Sequence, residues 1–279
     1  MRLLRYLSRG IVYLILVVWS FLVIYPLFWT LFGSLKDNKQ FFLGKPWDLP
    51  KLPFVWENFS NVWTNYHMGG YFFNSIVVTI CSSLLALILS STTSYILARF
   101  RFMLSGTIYT LYIAAMMVPL IMGLIPLFFL LDTLQLGNSL TGLILVYAAY
   151  QLPFSIFVLV GFYKTLPREI QEASYIDGAS HSGTFFRIMM PLAKPGMITI
   201  TIMNFLNIWN EYIYGVVLIN EPDKYTLPVG IAVMQAEMQY KTEWGPLFAA
   251  LLISMIPVFI VYFMFQRQIA GGITAGAVK

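Results

Sequence analysis

Charge is scarce in this 279-residue chain: Asp, Glu, Lys and Arg make up 10% of it, against roughly 25% in a soluble domain. There is one cysteine, Cys81, so no internal disulfide can form and no thiolate framework can hold a metal. There are two histidines, His67 and His181, far apart in sequence, which gives no paired-ligand motif. No G-x-x-x-x-G-K-[ST] occurs, so the chain has no phosphate-cradling loop of its own and does not hydrolyse nucleoside triphosphates by itself. No nucleophile elbow or Cys–His pair stands out, and catalysis within the chain is unsupported. The net charge of +5 comes from basic residues scattered at the ends of apolar runs, which does not suggest nucleic acid.

What the chain does have is apolar length. Hydrophobic residues make up 59% of it, and a helical span needs about 20 of them in succession. Six stretches qualify: Gly10 to Phe32, Asn74 to Leu97, Thr107 to Leu131, Leu140 to Phe162, Pro195 to Ile219 and Pro246 to Phe265. Arg2, Arg5 and Arg9 before the first run resemble a signal peptide. The run is too long for one, however, and Trp19, Phe21 and Tyr25 stand where small residues would be cleaved, so it is read as an uncleaved span. Of the 17 Lys and Arg residues, eleven fall on one side of the six spans and six on the other. The richer side is expected to be cytoplasmic, with both termini inside. The expected fold is therefore an all-α, multi-pass protein of the cell membrane, in contact with lipid, with residues 1–279 as a single transmembrane domain. Cys81, inside an apolar run, is expected to be a small packing residue.

Between the fourth and fifth spans lies the most polar passage, residues 164–193. Pro167 suits a first helical turn. Glu169 and Glu172 follow where the helix dipole favours carboxylates. Gly178 can end the helix in a left-handed conformation. Ser182 is expected to cap a second short helix, whose Phe185, Phe186, Ile188 and Met189 would lie against the membrane until Pro191 stops it. The charge count puts this helix–turn–helix in the cytoplasm.

The spacing here is specific. Glu172-Ala173-Ser174, three residues, Gly178, nine residues, Ile188, one residue and Met190-Pro191 resembles the EAA loop of permease subunits of binding-protein-dependent ABC importers. Ser174 and Met190 depart from the usual Ala and Leu, each by a small change of shape. The resemblance implies a type I importer permease fold with six transmembrane helices. It makes 164–193 the coupling loop that docks on a separate ATPase. Glu172, Ala173, Ser174, Asp177, Gly178 and Ala179 would form that interface. It also implies a second permease subunit, two ATPase subunits and an extracellular solute-binding protein. The chain itself would carry no cofactor; ATP and Mg would be bound by the partner ATPase.

Other passages carry the resemblance further. Val118-Pro119, Ile125-Pro126-Leu127, Leu136-Gly137-Asn138-Ser139 and Trp209-Asn210-Glu211 are similar to the maltose-type carbohydrate branch. Pro119 and Pro126 each remove a ladder hydrogen bond and can kink the third span. Serines and threonines crowd the second span, Ser82, Ser83, Ser90, Ser91 and Ser94 among them, which suits close helix packing. The fourth span contains Tyr147, Tyr150, Gln151 and Pro153. Asn207, Trp209, Asn210, Glu211 and Tyr212 form a polar cluster in the fifth, and two readings stay open. One lines a sugar path through hydrogen bonds and stacking; the other is structural glue to a partner permease. The outer segment from Gly33 to Phe73, rich in Pro and Trp, is read as an ordered cap, either an aromatic belt or a docking surface. By resemblance, Gln235, Ala236, Glu237, Met238, Gln239 and Tyr240 would reach toward the solute-binding protein. The Gly-rich tail after Gln266 has little fold of its own by composition; in the family a similar tail approaches the ATPases.

The implied function is the membrane subunit of an ATP-driven sugar or oligosaccharide importer. Two alternatives stay open: a stand-alone secondary transporter, or an importer permease for a non-sugar solute. Against the first stands the poverty of intramembrane acids, of which Glu211 is the clear case.

Overall fold

The computed structural model describes residues 2–45, 47–238 and 242–277, leaving aside the side chains of 2–8, Leu120 and 269–277. Every regular element among these residues is helical. In order they are α1 (Arg2–Ser34), α2 (Asn38–Leu43), α3 (Glu57–Thr64), α4 (Met68–Arg99), α5 (Ser105–Ala115), α6 (Leu124–Thr133), α7 (Leu140–Thr165), α8 (Arg168–Ile176), α9 (His181–Thr184), α10 (Met190–Leu192), α11 (Lys194–Trp209), α12 (Ile213–Leu218), α13 (Leu227–Glu237) and α14 (Trp244–Ala277). Two compact units emerge, one from residues 1–69 and 230–256, the other from 70–229 and 257–279.

Four described helices are long and apolar enough to cross a membrane: Arg9–Ser34, Met68–Arg99, Leu140–Thr165 and Trp244–Gln268. They correspond to the first, second, fourth and sixth expected spans. The third and fifth expected spans are not single helices. Pro119 breaks the third: it excludes Val118 from helical backbone, the turns at Met116 to Val118 tighten to i→i−3 bonds, and a 3-10 turn follows at Leu120–Gly123. Pro126 does no such damage, because it sits in the first turn of α6, where its missing N–H has no partner to lose. The fifth expected span divides at Asn210–Tyr212 into α11 and α12.

In the first unit, α1 ends on a cross-brace. Asn58 Nδ2 donates to Ser34 O at 2.8 Å and to Lys36 O at 3.0 Å, and Val55 N donates to Leu35 O at 3.1 Å. Gly245 allows this approach, since a Cβ there would stand 2.6 Å from Lys36 O. Phe248 lies edge-on to Trp29, with ring centroids 5.0 Å apart, and stacks on Phe41 at 5.5 Å. Tyr66 donates to Glu243 Oε2 at 2.6 Å. Burial, then that hydrogen bond, push its hydroxyl up to about 12. The described residues of the outer segment within this unit are thus tied by specific contacts.

The second unit is arranged around α7, against which α5 and α11 pack. The serines of α4 perform the packing expected of them. Ser82 Oγ donates to Ile144 O at 3.2 Å and Ser94 Oγ to Ile156 O at 3.3 Å, so α4 and α7 run parallel in contact. Arg99 Nη2 closes their ends by donating to Leu166 O at 2.7 Å. At the opposite end of α7, Asn138 joins two loops. Its Oδ1 accepts from Asn220 N at 2.9 Å and Glu221 N at 3.2 Å, while Nδ2 donates to Glu221 Oε1 at 2.7 Å. Lys224 pairs with Glu221 at 2.7 Å, and its hydrogen bond and charge hold the Glu221 carboxyl below the usual range.

Two expectations fail in detail. Cys81 lies exposed on α4, not packed among the described residues. The Gly-rich stretch after Gln266 continues α14 to Ala277, since glycine only weakens a helix and no proline follows Pro257 to end it.

Candidate functional site

The polar passage folds as a compact helical hairpin. Pro167 takes the N-cap position of α8 with extended backbone (ψ 141°), one place earlier than the first-turn position expected. The helix ends as expected at Gly178, whose φ of +82° is left-handed. Ala179 N donates to Ser174 O at 2.9 Å and Gly178 N to Tyr175 O at 3.1 Å, the paired bonds of a Schellman cap. A Cβ at Gly178 would meet nothing within 4 Å, so glycine is needed here for its backbone and not for room.

The second helix is capped by Ser180, not Ser182: its Oγ accepts from Gly183 N at 3.1 Å. The reason is positional. The helix begins at His181, and the cap must be the extended residue before it. The helix then widens into a π turn at Phe185–Met189. Pro191, which cannot donate to Arg187 O, follows directly after this turn. Helical turns continue to Leu192, so Pro191 does not stop the helix; the chain bends by 74° between there and α11. Nor do all four apolar residues face outward. Phe185 and Met189 are buried against Tyr95, Tyr163 and Ile200, because the bundle core offers them more complete burial, while Phe186 stays exposed.

Two side-chain ties hold the hairpin closed. Ser174 and Thr184 share a hydrogen bond at 2.9 Å, and His181 Nδ1 meets the Tyr175 hydroxyl at 2.9 Å. Ser174 is buried, so it braces the hairpin from inside and offers nothing to a partner surface. Its departure from alanine therefore has a use. The remaining residues read as interface, Glu172, Ala173, Asp177 and Gly178, are exposed, and Ala179 is half-buried. Glu169, Glu172, Ala173 and Ile176 recur at helical spacing, so two carboxylates share a face with an isoleucine that is 87% exposed at the end of the helix. Glu172 has no hydrogen-bond or ion-pair partner among the described residues.

The 207–212 cluster is different. Trp209 is buried, stacked on Phe205 with centroids 5.9 Å apart and edge-on to Phe72 at 5.6 Å, because a large apolar ring gains more from packing than from a wet path. Glu211 sits in the break between α11 and α12. One carboxylate oxygen accepts from Tyr214 N at 2.9 Å; the other accepts from Gly215 N at 3.3 Å and from the Tyr147 hydroxyl. It therefore caps α12, where the dipole favours a negative charge. The contacts of Glu211 are thus made within its own chain, with Tyr147, Tyr214 and Gly215. Asn210 Nδ2 is turned back to Leu206 O at 2.8 Å. Tyr212 is exposed. Asn207 alone of the five lines a cavity of about 520 Å³, together with Tyr150, Gln151 and Tyr214. Tyr150 and Gln151 were noted in the fourth span but not as site residues. The signal was their place one turn after Tyr147 on an apolar helix.

Gln235, Ala236 and Glu237 are exposed at the end of α13, and Met238 is half-buried beyond it. Gln239 and Tyr240 lie outside the described residues. No group of three or more His, Cys, Asp or Glu residues that could hold a metal occurs among the described residues.

An apolar helical bundle with a polar hairpin between two of its membrane-length segments defines a class, a multi-span integral membrane protein. The family model for the binding-protein-dependent transport system inner membrane component matches residues 87–274, and the chain belongs to that family. It is accordingly a membrane-embedded ABC importer permease and not an enzyme. The diacetylchitobiose uptake system permease protein NgcG of Streptomyces coelicolor is 38% identical over 265 residues, covering 95% of this chain and 87% of that protein. The arabinooligosaccharides transport system permease protein AraQ of Bacillus subtilis is 31% identical over 266 residues, covering 93% of this chain and 92% of that one. In the crystal structure of a bacterial ABC transporter involved in import of the acidic polysaccharide alginate, one chain superposes with a TM-score of 0.80 at 22% identity, covering 92% of this chain and 95% of that one. A second likeness, TM-score 0.63 at 12% identity over 92% of this chain and 93% of that one, is to the alginate transporter in complex with its alginate pentasaccharide-bound periplasmic protein.

Proposed function

We propose that the chain is one of two permease subunits of an ATP-driven carbohydrate importer. The single observation that carries the coupling role is the exposed face of α8. Two exposed carboxylates, of which Glu172 has no hydrogen-bond or ion-pair partner among the described residues, and an isoleucine that is 87% exposed stand on a hairpin that is otherwise internally tied. Such a face suits a groove with a basic residue on a separate ATPase. The substrate class follows from the named relatives, which take up diacetylchitobiose and arabinooligosaccharides. Residues 1–279 act as one permease domain, with both termini and the hairpin cytoplasmic, as the basic residues favour. Two ATPase subunits bind ATP and Mg, and a second permease completes the path. An extracellular solute-binding protein delivers the sugar, with the end of α13 and Met238 toward it. Asn207, Tyr150, Gln151 and Tyr214 are the groups of this chain best disposed to meet solute.

In this mechanism ATP binding closes the ATPases and displaces α8. Because α7 and α11 continue from the two ends of the hairpin, they move with it. ATP must bind the two arrangements with different affinity for this to occur. The test is to purify the tagged chain gently from its native membrane and reconstitute what accompanies it. ATP-dependent sugar uptake, with an ATPase and a second permease present, is the expected result. A chain that emerges alone and transports without ATP overturns the proposal in favour of a secondary carrier.

A further inference from the structure

The loop between α1 and α3 encloses a pocket of about 220 Å³ that none of the roles above uses, lined by Lys36, Asp37, Lys39, Gln40, Asp48 and Lys51 among others. Lys36 is 3% exposed, yet among the described residues its ammonium has neither a hydrogen-bond acceptor nor an ion-pair partner. The Phe41 ring lies beneath it, 5.6 Å from the ammonium to the centroid, and the charge of Asp48 acts on it from the pocket wall. A ring face restores only part of the hydration a buried ammonium loses. Each of the two aspartates commits one carboxylate oxygen to the loop, and neither makes an ion pair with Lys36. Asp37 Oδ1 accepts from Gln40 N at 2.7 Å, and Asp48 Oδ2 from Lys45 N at 2.9 Å, so both close turns of the loop itself. Lys39 and Lys51 are exposed and likewise unpaired by any ion pair among the described residues. Burial lowers the Lys36 pKa, with Asp48 opposing.

The backbone around Lys36 is fixed. Asn58 holds the carbonyls of Ser34 and Lys36 together, and the close approach of Gly245 leaves that brace no space to relax. Lys36, with its stem covered and its backbone fixed, stands with Lys39 and Lys51 against Asp37 and Asp48, so the pocket keeps a surplus of one positive charge and can take an anion. Its volume is below the roughly 300–1,000 Å³ of pockets for whole small-molecule ligands, so it suits a single acidic group. We propose that this pocket is a carboxylate socket, in which one acidic group meets Lys36 with Lys39 and Lys51 beside it. That group can come from a small organic acid or from an acidic side chain of a docked protein. The second source rests on the importer reading; the first does not.

The experiment takes the protein as purified from its membrane, with its companions, and follows thermal unfolding by tryptophan fluorescence. Sodium acetate and sodium glutarate are titrated against sodium chloride at equal ionic strength. A saturable rise in Tm of about 2 °C or more is expected. The rise is absent in Lys36→Met, which keeps the packed stem, and reduced in the Lys39→Met/Lys51→Met double variant, which changes exposed residues and carries the test if Lys36→Met does not fold. No saturable rise, or an equal rise in every variant, overturns the proposal. A second arm measures the Kd of the co-purifying solute-binding protein. If Lys36→Met weakens it tenfold and acetate competes, a protein side chain fills the socket. An unchanged Kd beside a retained acetate response in the unaltered protein assigns the socket to a free acid. Failure of ATP-driven uptake would leave the acetate arm untouched.

Discussion

Two polar passages interrupt the apolar chain, and they turn their polar groups in opposite directions. The hairpin of α8 and α9 keeps its internal hydrogen bonds among Gln171, Ser174, Tyr175, His181 and Thr184, and leaves Glu172 unpaired and exposed. The passage from Asn207 to Gly215 does the reverse. Its acid, Glu211, accepts three donors of the same chain, and its tryptophan is buried. A polar residue in an apolar chain is therefore no evidence of a site until its partners are counted. The unpaired carboxylate is open to a partner protein, and the paired one maintains a break between two helices.

The largest test of that contrast is Glu211→Ala. Removing a charged acceptor from three donors is expected to lower stability by about 3 kcal/mol, read as thermal unfolding of the purified protein. Unchanged unfolding with lost uptake would return Glu211 to the solute path. Glu172→Lys is expected to leave unfolding alone and lower ATP-driven uptake at least tenfold, equivalent to about 1.4 kcal/mol of lost coupling. Normal uptake would remove Glu172 from the docking face. Gly178→Val places a β-branched residue at a left-handed φ, expected to destabilise the hairpin by about 1–2 kcal/mol. Since space is open there, hydrogen exchange should report the loss in α8 and α9 and not in α7. Ser174→Ala should have the smallest effect, about 1 kcal/mol for the lost Thr184 bond. Uptake should persist, because the exposed face is intact; a loss of uptake as severe as with Glu172→Lys would blur the comparison.

How far the sequence could be read follows the same division. Apolar length alone located the four unbroken spanning helices, since a run of some 20 apolar residues has few other fates. Pro119 marked a break, but the outcome of Pro126 depended on where α6 began, which a residue pattern locates only within a few positions. At the hairpin, Gly178 was legible because only its backbone conformation mattered. Ser174 was not, because its role depends on Thr184, ten residues away across a turn. Glu211 was ambiguous for the same reason: Tyr147, its partner, is on another helix. Lys36 resembled any interfacial lysine, and nothing in its neighbours along the chain announces that it is buried.

The two serine bonds between α4 and α7 have a mechanical consequence. Ser82 and Ser94 are twelve residues apart, as are their acceptors Ile144 and Ile156. Two attachment points about 18 Å apart, with Arg99 clamping the end nearest the hairpin, resist both sliding and swivelling. The pair behaves as one beam with the hairpin as its handle. A 26-residue helix such as α7 is about 39 Å long, so a tilt of about 10° at the handle carries its far end, where Asn138 fastens the loops, through about 7 Å. That displacement is more than twice the roughly 2.8 Å width of a water molecule. In the proposed mechanism a small push at the hairpin would thereby be enlarged into an opening at the far end of α7 without any helix having to bend.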